Sequence, residues 1–297
     1  MLTSGISAPL LFLCYINDLS DQVVSSVRLY ADDVLLYSPV NSDCDCYNLQ
    51  NDINSLLKWT QDWQMEFNPK KCEFIRITKK KQVTQFTYHI GSCPIQEVPF
   101  IKYLGVSIDN QLTWNEHIKR ITSKAISVKS FLQRNLSSCP IKVKINCYKS
   151  LVRPILEYAS IIWSPHTQLN INKVEKIQRQ AARFIKNDFS WHSSVSNMLQ
   201  SLNLPTLKTR RDKPKIIFLY KVIHNLVDIT PPASYLQPVL RDTRGHTLKY
   251  IQLPTSIDAY KYSYFPSVIR IWNNLPTHII ESKSLEELQT RLSNYTL

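Results

Sequence analysis

Two adjacent carboxylates, Asp32 and Asp33, stand between two short hydrophobic segments. Successive side chains of a regular strand point to opposite faces, so both acids can reach one ligand only if they lie in a turn. About 4 Å apart, two such charges repel by roughly 4 kcal/mol at an effective dielectric near 20, and a divalent cation would offset that repulsion. Mg²⁺ prefers carboxylate oxygens, and two such ions can activate an attacking hydroxyl and stabilise a leaving oxygen. The pair therefore indicates metal-dependent phosphate chemistry, with an ordinary solvated turn as the alternative.

The segments around the acid pair predict a small α+β unit. Residues 25–37 are expected to form a strand, a tight turn and a strand, because Val27 and Leu29 alternate with polar neighbours. Residues 49–63 predict an amphipathic helix that Asp43 or Asp45 could cap. Further strands of an antiparallel sheet are expected at residues 73–78, 86–90 and 103–108.

Beyond Trp114 the periodicity of apolar residues changes from strands to helices. Helices are expected at residues 115–134, 141–163, 171–186 and 212–226, and Pro154 must kink or divide the second of them. Residues 231–260 predict an irregular, proline-rich connection. A closing helix is expected to begin at Ser284, a plausible N-cap, with Glu286 and Glu287 in its first turn.

Positive charge is concentrated in the middle of the chain. The formal net charge is +13; residues 1–114 hold 9 basic and 12 acidic residues, residues 115–221 hold 20 and 5, and residues 222–297 hold 7 and 6. A strongly basic module of this kind attracts polyanions and favours a nucleic-acid partner. Solvated lysines and arginines on an ordinary surface are the alternative.

One predicted helix divides into an apolar face and a basic face. At 100° per residue, the apolar side chains between residues 173 and 186 gather on one side: Val174, Ile177, Ala181, Phe184 and Ile185. The opposite side carries Lys176, Arg179, Arg183 and Lys186. Contact with nucleic-acid phosphates is the functional interpretation of the basic face, and a solubilising surface is the structural one.

Composition argues against several classes of protein. Hydrophobic residues make up 43% and charged residues 20% of the chain, which is typical of a globular protein. No apolar run reaches the roughly 18–20 residues of a membrane span, and the run at residues 8–16 lacks the basic flank of a signal peptide. The seven cysteines are irregularly spaced, which favours reduced thiols over a zinc site. An intracellular protein is expected, in the nucleus or in a cytoplasmic ribonucleoprotein.

A series of motifs in order along the chain resembles the reverse transcriptases of non-LTR (LINE-type) retrotransposons, particularly the jockey-like group. Residues 29–34, Leu-Tyr-Ala-Asp-Asp-Val, resemble the Y-x-D-D box, and residues 9–19 resemble the segment that leads to it. Residues 68–72 and 102–106 resemble the next motif and the primer-grip hairpin. Matches to the thumb and the tail of the family follow at residues 153–165 and 265–276.

The resemblance implies RNA-directed DNA polymerisation with Mg²⁺, using an RNA template, a DNA primer and deoxynucleoside triphosphates. Asp32 would be a metal ligand and Asp33 the second acid. Tyr30 would line the nucleotide or primer side, although a buried strand tyrosine is the alternative. Lys71 would lie near the incoming triphosphate, unless it is simply solvated, and Gly105 would permit the tight hairpin at the primer end.

The expected architecture is α+β: an incomplete antiparallel polymerase palm, then a mainly helical thumb and a carboxy-terminal region. The corresponding domains are residues 1–114, a partial palm; residues 115–226, a basic thumb-like domain; and residues 227–297, a tail. The basic helices would grip the duplex.

The chain also departs from the family. The palm needs another aspartate on an earlier strand, and only 29 residues precede Tyr30, with Asp18 and Asp21 in the wrong context. Residues 3–9 resemble only the edges of a motif whose centre contains Pro-Gln-Gly. The family's usual endonuclease and fingers are absent from this sequence as well. We therefore expect a truncated, inactive copy; the alternatives are a nucleic-acid-binding module without chemistry and a relic that aggregates.

Overall fold

The computed structural model of the chain describes residues 7–231, 234–239 and 246–295. It divides into two compact units, Met1–Ile101 and Lys102–Leu297. The first unit contains short hairpins and one long helix, and the second consists mainly of helices, so the expected α+β class is confirmed. Of the motif remnant at residues 3–9, residues 3–6 lie outside the described residues. No helix in the described ranges is long and apolar enough to cross a membrane.

The first unit begins with a helix and continues with short strands. Its helices are α1 (Ser7–Ile16) and α2 (Asp43–Asp62), with 3₁₀ turns at Asn17–Gln22 and Pro69–Lys71. Its strands are β1 (Ser26–Tyr30), β2 (Asp33–Tyr37), β3 (Glu73–Phe74), β4 (His89–Ile90), β5 (Cys93–Pro94) and β6 (Gln96–Glu97), and β7 (Phe100–Tyr103) runs across the boundary between the units. The pairs β1–β2 and β4–β5 are antiparallel, whereas β3–β6 is parallel.

The strands expected at residues 73–78 and 86–90 are much shorter than predicted, and the expected single antiparallel sheet is replaced by separate two-stranded pieces. Side chains satisfy backbone groups that a longer ladder would otherwise use. Gln50 accepts a hydrogen bond from the His89 amide at 2.8 Å and donates one to the His89 carbonyl at 2.9 Å. Arg76 donates to the Phe86 carbonyl at 3.3 Å. Backbone groups that are bonded to side chains in this way do not need a neighbouring strand.

The helix α2 begins earlier than predicted, and its N-cap is Ser42 rather than Asp43 or Asp45. The carboxylate of Asp45, at the third helical position, accepts hydrogen bonds from the amides of Asn41 and Ser42, both at 2.8 Å. These bonds to the charged form lower the pKa of Asp45. The arrangement fixes the start of the helix by the reciprocal logic of a capping box.

A small core holds the first hairpin. It consists of the buried side chains Ile16, Leu19, Leu56 and Trp59. One face of the β1–β2 hairpin packs on it through Val27, Leu29, Val34 and Leu36. The alternation of apolar residues along β1 therefore places them on the face that packs against this core, as in a half-buried strand.

The second unit continues from β7 to β8 (Val106–Asp109) and then becomes helical. Its helices are α3 (Asn115–Asn135), α4 (Ile141–Cys147), α5 (Arg153–Glu157), α6 (Gln168–Lys186), α7 (Val195–Ser201), α8 (Leu207–Ile223), α9 (Asp258–Lys261), α10 (Tyr264–Asn273), α11 (Thr277–Ile280) and α12 (Leu285–Asn294). Ser284 caps α12, accepting from the amide of Glu287 at 3.1 Å, as predicted. Between α8 and α9 the described residues form only the isolated bridge Pro238–Tyr250, in keeping with an irregular connection.

The helix predicted at residues 141–163 is divided. A π-helical turn at Tyr148–Val152 follows α4, and α5 ends at Glu157. Pro154 lacks the amide that would continue an α-helical ladder, and the wider turn before it accommodates this loss. Residues 158–162 form turns, and the carbonyl of Tyr158 accepts from the Trp163 indole at 2.8 Å.

Two clusters of buried side chains stabilise the second unit. The larger one surrounds α6, and all five residues of the predicted apolar face are buried in it: Val174, Ile177, Ala181, Phe184 and Ile185. The other joins α8 to α10, α11 and α12 through residues such as Leu219, Trp272 and Leu288. The period of 3.6 residues in the sequence thus identifies the core face of α6.

Candidate active site and nucleic-acid interface

The acid pair lies at the tip of the β1–β2 hairpin. Tyr30 pairs with Asp33 at the end of the ladder, so Ala31 and Asp32 form the two-residue turn, and the predicted strand–turn–strand is confirmed. Ala31 has a φ of 51°, in the left-handed region that alanine enters only at a cost of roughly 1–2 kcal/mol. Asp32 and Asp33 are both exposed. The hairpin therefore presents two carboxylates to solvent on a strained turn.

Tyr30 lies directly across from Asp33, and directly opposed residues of an antiparallel pair share one face. This face is the one turned away from the small core. Tyr30 is 63% exposed, which excludes the buried strand tyrosine considered from the sequence. A ligand held at Asp33 could therefore contact the phenol ring.

Other acids of the first unit do not complete a metal site. Asp18 accepts the indole N–H of Trp59 at 3.1 Å, and Asp52 accepts the amides of Val24 and Ser25 at 3.0 and 2.8 Å. Across the described ranges, no group of three or more His, Cys, Asp or Glu side chains could hold a metal ion. The reverse transcriptase family typically uses Mg²⁺. The described residues by themselves do not fit a two-ion site, because no third acid joins Asp32 and Asp33.

Lys71 ends the short 3₁₀ turn at Pro69–Lys71 and is exposed. Asn68 caps this turn, accepting from the amide of Lys70 at 3.1 Å. Within the described part of the chain, no hydrogen bond or ion pair joins Lys71 to Asp32 or Asp33. Its role toward a triphosphate remains a prediction.

The second hairpin, β7–β8, turns at Leu104 and Gly105, with φ angles of 44° and 80°. A Cβ on Gly105 would lie 3.3 Å from Cε1 of Tyr158, so both the backbone angle and the close approach favour glycine. The Tyr158 hydroxyl donates to the Leu104 carbonyl at 2.9 Å. This turn is thereby attached to the end of α5.

The helix α3 holds the same turn from another side. Arg120 donates to the Gly105 carbonyl and, at 3.0 Å, to the Ser107 hydroxyl. The Nδ1 atom of His117 accepts the Ser107 amide at 3.2 Å, and the imidazole ring packs 4.8 Å from that of Trp163. Burial, reinforced by the charge of Arg120, lowers the pKa of His117 to about 4. Tyr158 lies in the segment of residues 153–165 that resembles the family's thumb, whereas no sequence signal singles out Arg120.

The four basic residues predicted on α6 fall into two groups. Lys176 and Arg179 are exposed, and Lys186 is half-buried at the end of the helix. The Arg183 guanidinium instead donates to the carbonyls of Ser190 and Ser193 at 2.7 and 3.4 Å in the following loop. Lys176 and Arg179 are therefore the residues of this set best placed to meet a phosphate.

Residues 5–108 match the family described as reverse transcriptase (RNA-dependent DNA polymerase). This segment is therefore similar to a reverse transcriptase domain. The match begins before the acid pair and ends within the β7–β8 hairpin, so it includes Asp32, Asp33, Lys71 and Gly105.

Three relatives with similar sequences are polymerases of mobile elements. The chain is 24% identical over 212 residues to the probable RNA-directed DNA polymerase from transposon X-element of Drosophila melanogaster, covering 68% of this chain and 23% of that protein. It is 24% identical to the RNA-directed DNA polymerase from mobile element jockey of the same species, covering 61% of this chain and 20% of that protein. It is 27% identical to the probable RNA-directed DNA polymerase from transposon BS, also of Drosophila melanogaster, covering 69% of this chain and 24% of that protein. The chain is thus a distant homologue of non-LTR retrotransposon reverse transcriptases.

The aligned region spans less than a quarter of each of these three relatives. No solved structure matches the chain significantly.

Proposed function

We propose that this chain is a part of an RNA-directed DNA polymerase of a non-LTR retrotransposon, carrying the metal-binding tip of the palm and the thumb. The observation that carries the proposal is the exposed Asp32–Asp33 turn, with Tyr30 across from Asp33, inside the region that matches the family. On this proposal residues 1–114 are palm, residues 115–226 thumb and residues 227–297 tail. The substrates are an RNA template, a DNA primer and deoxynucleoside triphosphates, in the nucleus or in a cytoplasmic ribonucleoprotein.

The proposed roles follow from position and charge. Asp32 and Asp33 are the acids that would hold Mg²⁺, whose chemistry is to bring the attacking hydroxyl and the phosphate together. Tyr30 would contact the nucleotide or the primer from the same face as Asp33. Lys71 would meet the triphosphate as a point charge, and the Gly105 turn would support the primer end.

Residues 1–297 alone are expected to be inactive. Two carboxylates cannot neutralise and orient two ions as three can, and Asp18 and Asp52 are engaged elsewhere in the unit. A further acid supplied from outside the described residues would complete the site. On this proposal the chain carries the acid pair of a polymerase but not the third acid that would complete its metal site.

Primer extension on an RNA template with Mg²⁺ tests this proposal, using the parent chain, Asp32→Ala and the matched control Asp21→Ala. Asp21 is also an exposed acid of the first unit. We expect no incorporation by any of the three, from protein shown by circular dichroism to be folded. Incorporation by the parent and by Asp21→Ala, but not by Asp32→Ala, would establish the active site and overturn the missing ligand. Incorporation that survives Asp32→Ala would remove Asp32 from the mechanism.

A second function, nucleic-acid binding without chemistry, is favoured by a separate observation. Residues 115–221 hold 20 basic and 5 acidic residues, and Lys176 and Arg179 are exposed on α6. Binding through phosphates would weaken as salt rises, with a slope of about −0.9 per contact on duplex DNA. Salt-dependent binding that is unchanged in Asp32→Ala and weaker in Arg179→Gln would support it.

A further inference from the structure

The segment between α6 and α7, residues 187–194, is tied down at several points. We call it the aromatic loop. Asn187 ends α6 in the left-handed conformation, with a φ of 53°. The carboxylate of Asp188 accepts the Ser190 amide at 3.0 Å, and the Arg183 guanidinium donates to the carbonyls of Ser190 and Ser193. Its backbone is therefore positioned by the last turns of α6.

This loop exposes two large aromatic side chains. Trp191 is 90% exposed and Phe189 is 57% exposed, whereas Trp163 and Trp272 are 0% and 1% exposed. Leaving an indole in water forgoes the stabilisation that burial would bring. A backbone held by three side-chain hydrogen bonds while its largest side chains face water is arranged for contact with a partner.

The surroundings of the loop indicate which partner fits. The carbonyls of Ser190 and Ser193 both accept hydrogen bonds from Arg183. The backbone of Trp191, which lies between them in sequence, is therefore held beside the last turns of α6. Arg179 is one helical turn before Arg183, and Lys176 precedes it on the same exposed side. Two exposed aromatic side chains that follow a helix with two exposed cations match a strand whose bases are apolar on their faces and whose backbone is anionic.

We infer that the aromatic loop and the exposed basic residues of α6 form a binding site for single-stranded nucleic acid. Bases stack on Trp191 and Phe189, while phosphates contact Lys176 and Arg179. A single strand fits better than a duplex, because paired and stacked bases do not offer their faces to a side chain. This inference rests on the nucleic-acid binding proposed above and adds the residues and the strandedness.

Fluorescence anisotropy of labelled oligonucleotides tests the site with the full chain. The probes are a short oligouridylate, an oligothymidylate of equal length and a duplex of equal length. The variants are Trp191→Ala, Phe189→Ala, Trp191→Phe and, as a matched control, Phe131→Ala on α3, where Phe131 is also 57% exposed. Circular dichroism checks that each variant is folded.

Trp191→Ala is expected to weaken binding of both single strands by about tenfold, and Phe189→Ala by about fivefold. Trp191→Phe should retain most of the affinity, and Phe131→Ala should leave it unchanged. The salt slope should stay the same in Trp191→Ala and fall by about 0.7 in Arg179→Gln, since stacking involves no counterion release. Duplex binding should change less than twofold in Trp191→Ala.

Several outcomes separate this inference from the proposal on which it rests. If the parent binds oligonucleotides and Trp191→Ala binds them equally well, the stacking site is overturned and the nucleic-acid function stands. If the loss in Trp191→Ala is as large for the duplex as for single strands, the assignment to single strands is wrong. If the folded parent binds none of the probes, the nucleic-acid function fails, and the exposed aromatics are left to a protein partner.

Discussion

The two hairpins of the molecule solve the same geometric problem in opposite ways. Both reverse the chain in two residues and both use positive φ angles, at Ala31 in the first and at Leu104 and Gly105 in the second. In the second, Tyr158, Arg120 and His117 all bond to the turn or to its following strand. In the first, no side chain of the described residues bonds to the turn, and its acids face water.

The two turns therefore differ in how firmly the protein itself holds them in the absence of a ligand. The β7–β8 turn is fixed by side chains of its own unit. Among the described residues, the β1–β2 turn is fixed only by its ladder and by the apolar face beneath it, so its carboxylates remain exposed. Strain at Ala31 is in keeping with the metal-binding role proposed for the acid pair.

The largest expected effect breaks the support of the second hairpin. Arg120→Ala removes the bonds to Gly105 and Ser107 and should lower the free energy of unfolding of the helical unit by about 2–3 kcal/mol. The matched variant is Arg28→Ala in the first hairpin, whose guanidinium, among the described residues, reaches only the adjacent Val27 carbonyl at 2.8 Å and the Tyr37 ring. That variant should change the free energy by less than about 0.5 kcal/mol. Urea unfolding followed by circular dichroism measures both, and equal losses would contradict the comparison.

The next largest expected effect is a dependence of folding stability on pH that is present in the unit of the second hairpin and absent from the first hairpin. Because the pKa of His117 is about 4 in the folded chain and near 6.5 when unfolded, the unfolded chain takes up the proton first as pH falls. The stabilisation is therefore fully present above pH 6.5 and is lost as pH falls towards 4, by about 2 kcal/mol at pH 5. Urea midpoints at pH 7.5 and pH 5 should show this loss, and His117→Gln should reduce it.

Some slope should remain in His117→Gln, since burial also lowers the pKa of His246. The single histidine of the first unit, His89, is exposed. Amide exchange in the β1–β2 hairpin should therefore show no corresponding opening between these two pH values. A pH dependence that is unaltered in His117→Gln would place its origin elsewhere.

The smallest expected effects have opposite signs in the two turns. Gly105→Ala forces a side chain into a φ of 80° and towards Tyr158, and should destabilise the hairpin by about 1–2 kcal/mol. Ala31→Gly removes the strain at a φ of 51° and should slow opening of the first hairpin by up to about fivefold. The rates of hydrogen exchange of the strand amides measure both effects. Faster exchange of β1–β2 in Ala31→Gly would show that its turn is not strained.

Helices α3, α6 and α12 of the second unit could be predicted because their signals are local, whereas α7, α9, α10 and α11 were not predicted. The apolar face of α6 repeats every turn, and all of its five predicted residues are buried. The strand–turn–strand around Asp32 was predictable for the same reason, since alternation and a short polar turn are visible within thirteen residues.

What the sequence could not predict depends on distant partners. Gln50 and Arg76 shorten the strands near His89 and Phe86 through contacts that no local pattern announces. Arg183 has the same spacing as Lys176 and Arg179, yet its guanidinium is used by the aromatic loop. A basic helical face identifies charge, but only the fold shows which charges are free to meet a ligand.

The wide turn at Tyr148–Val152 holds one residue more than an α-helical turn would. Arg153 donates its amide to the carbonyl of Tyr148, five residues back. Deleting one residue there would close the turn to an α-helical one and leave the flanking helices in nearly the same register. Deleting one residue from α5 would instead rotate the end of that helix by about 100°, and Tyr158 would then lose its bond to Leu104 while Tyr148 kept its bond to Gln178. Descendants of this sequence should therefore accept a deletion within the wide turn more readily than one within α5.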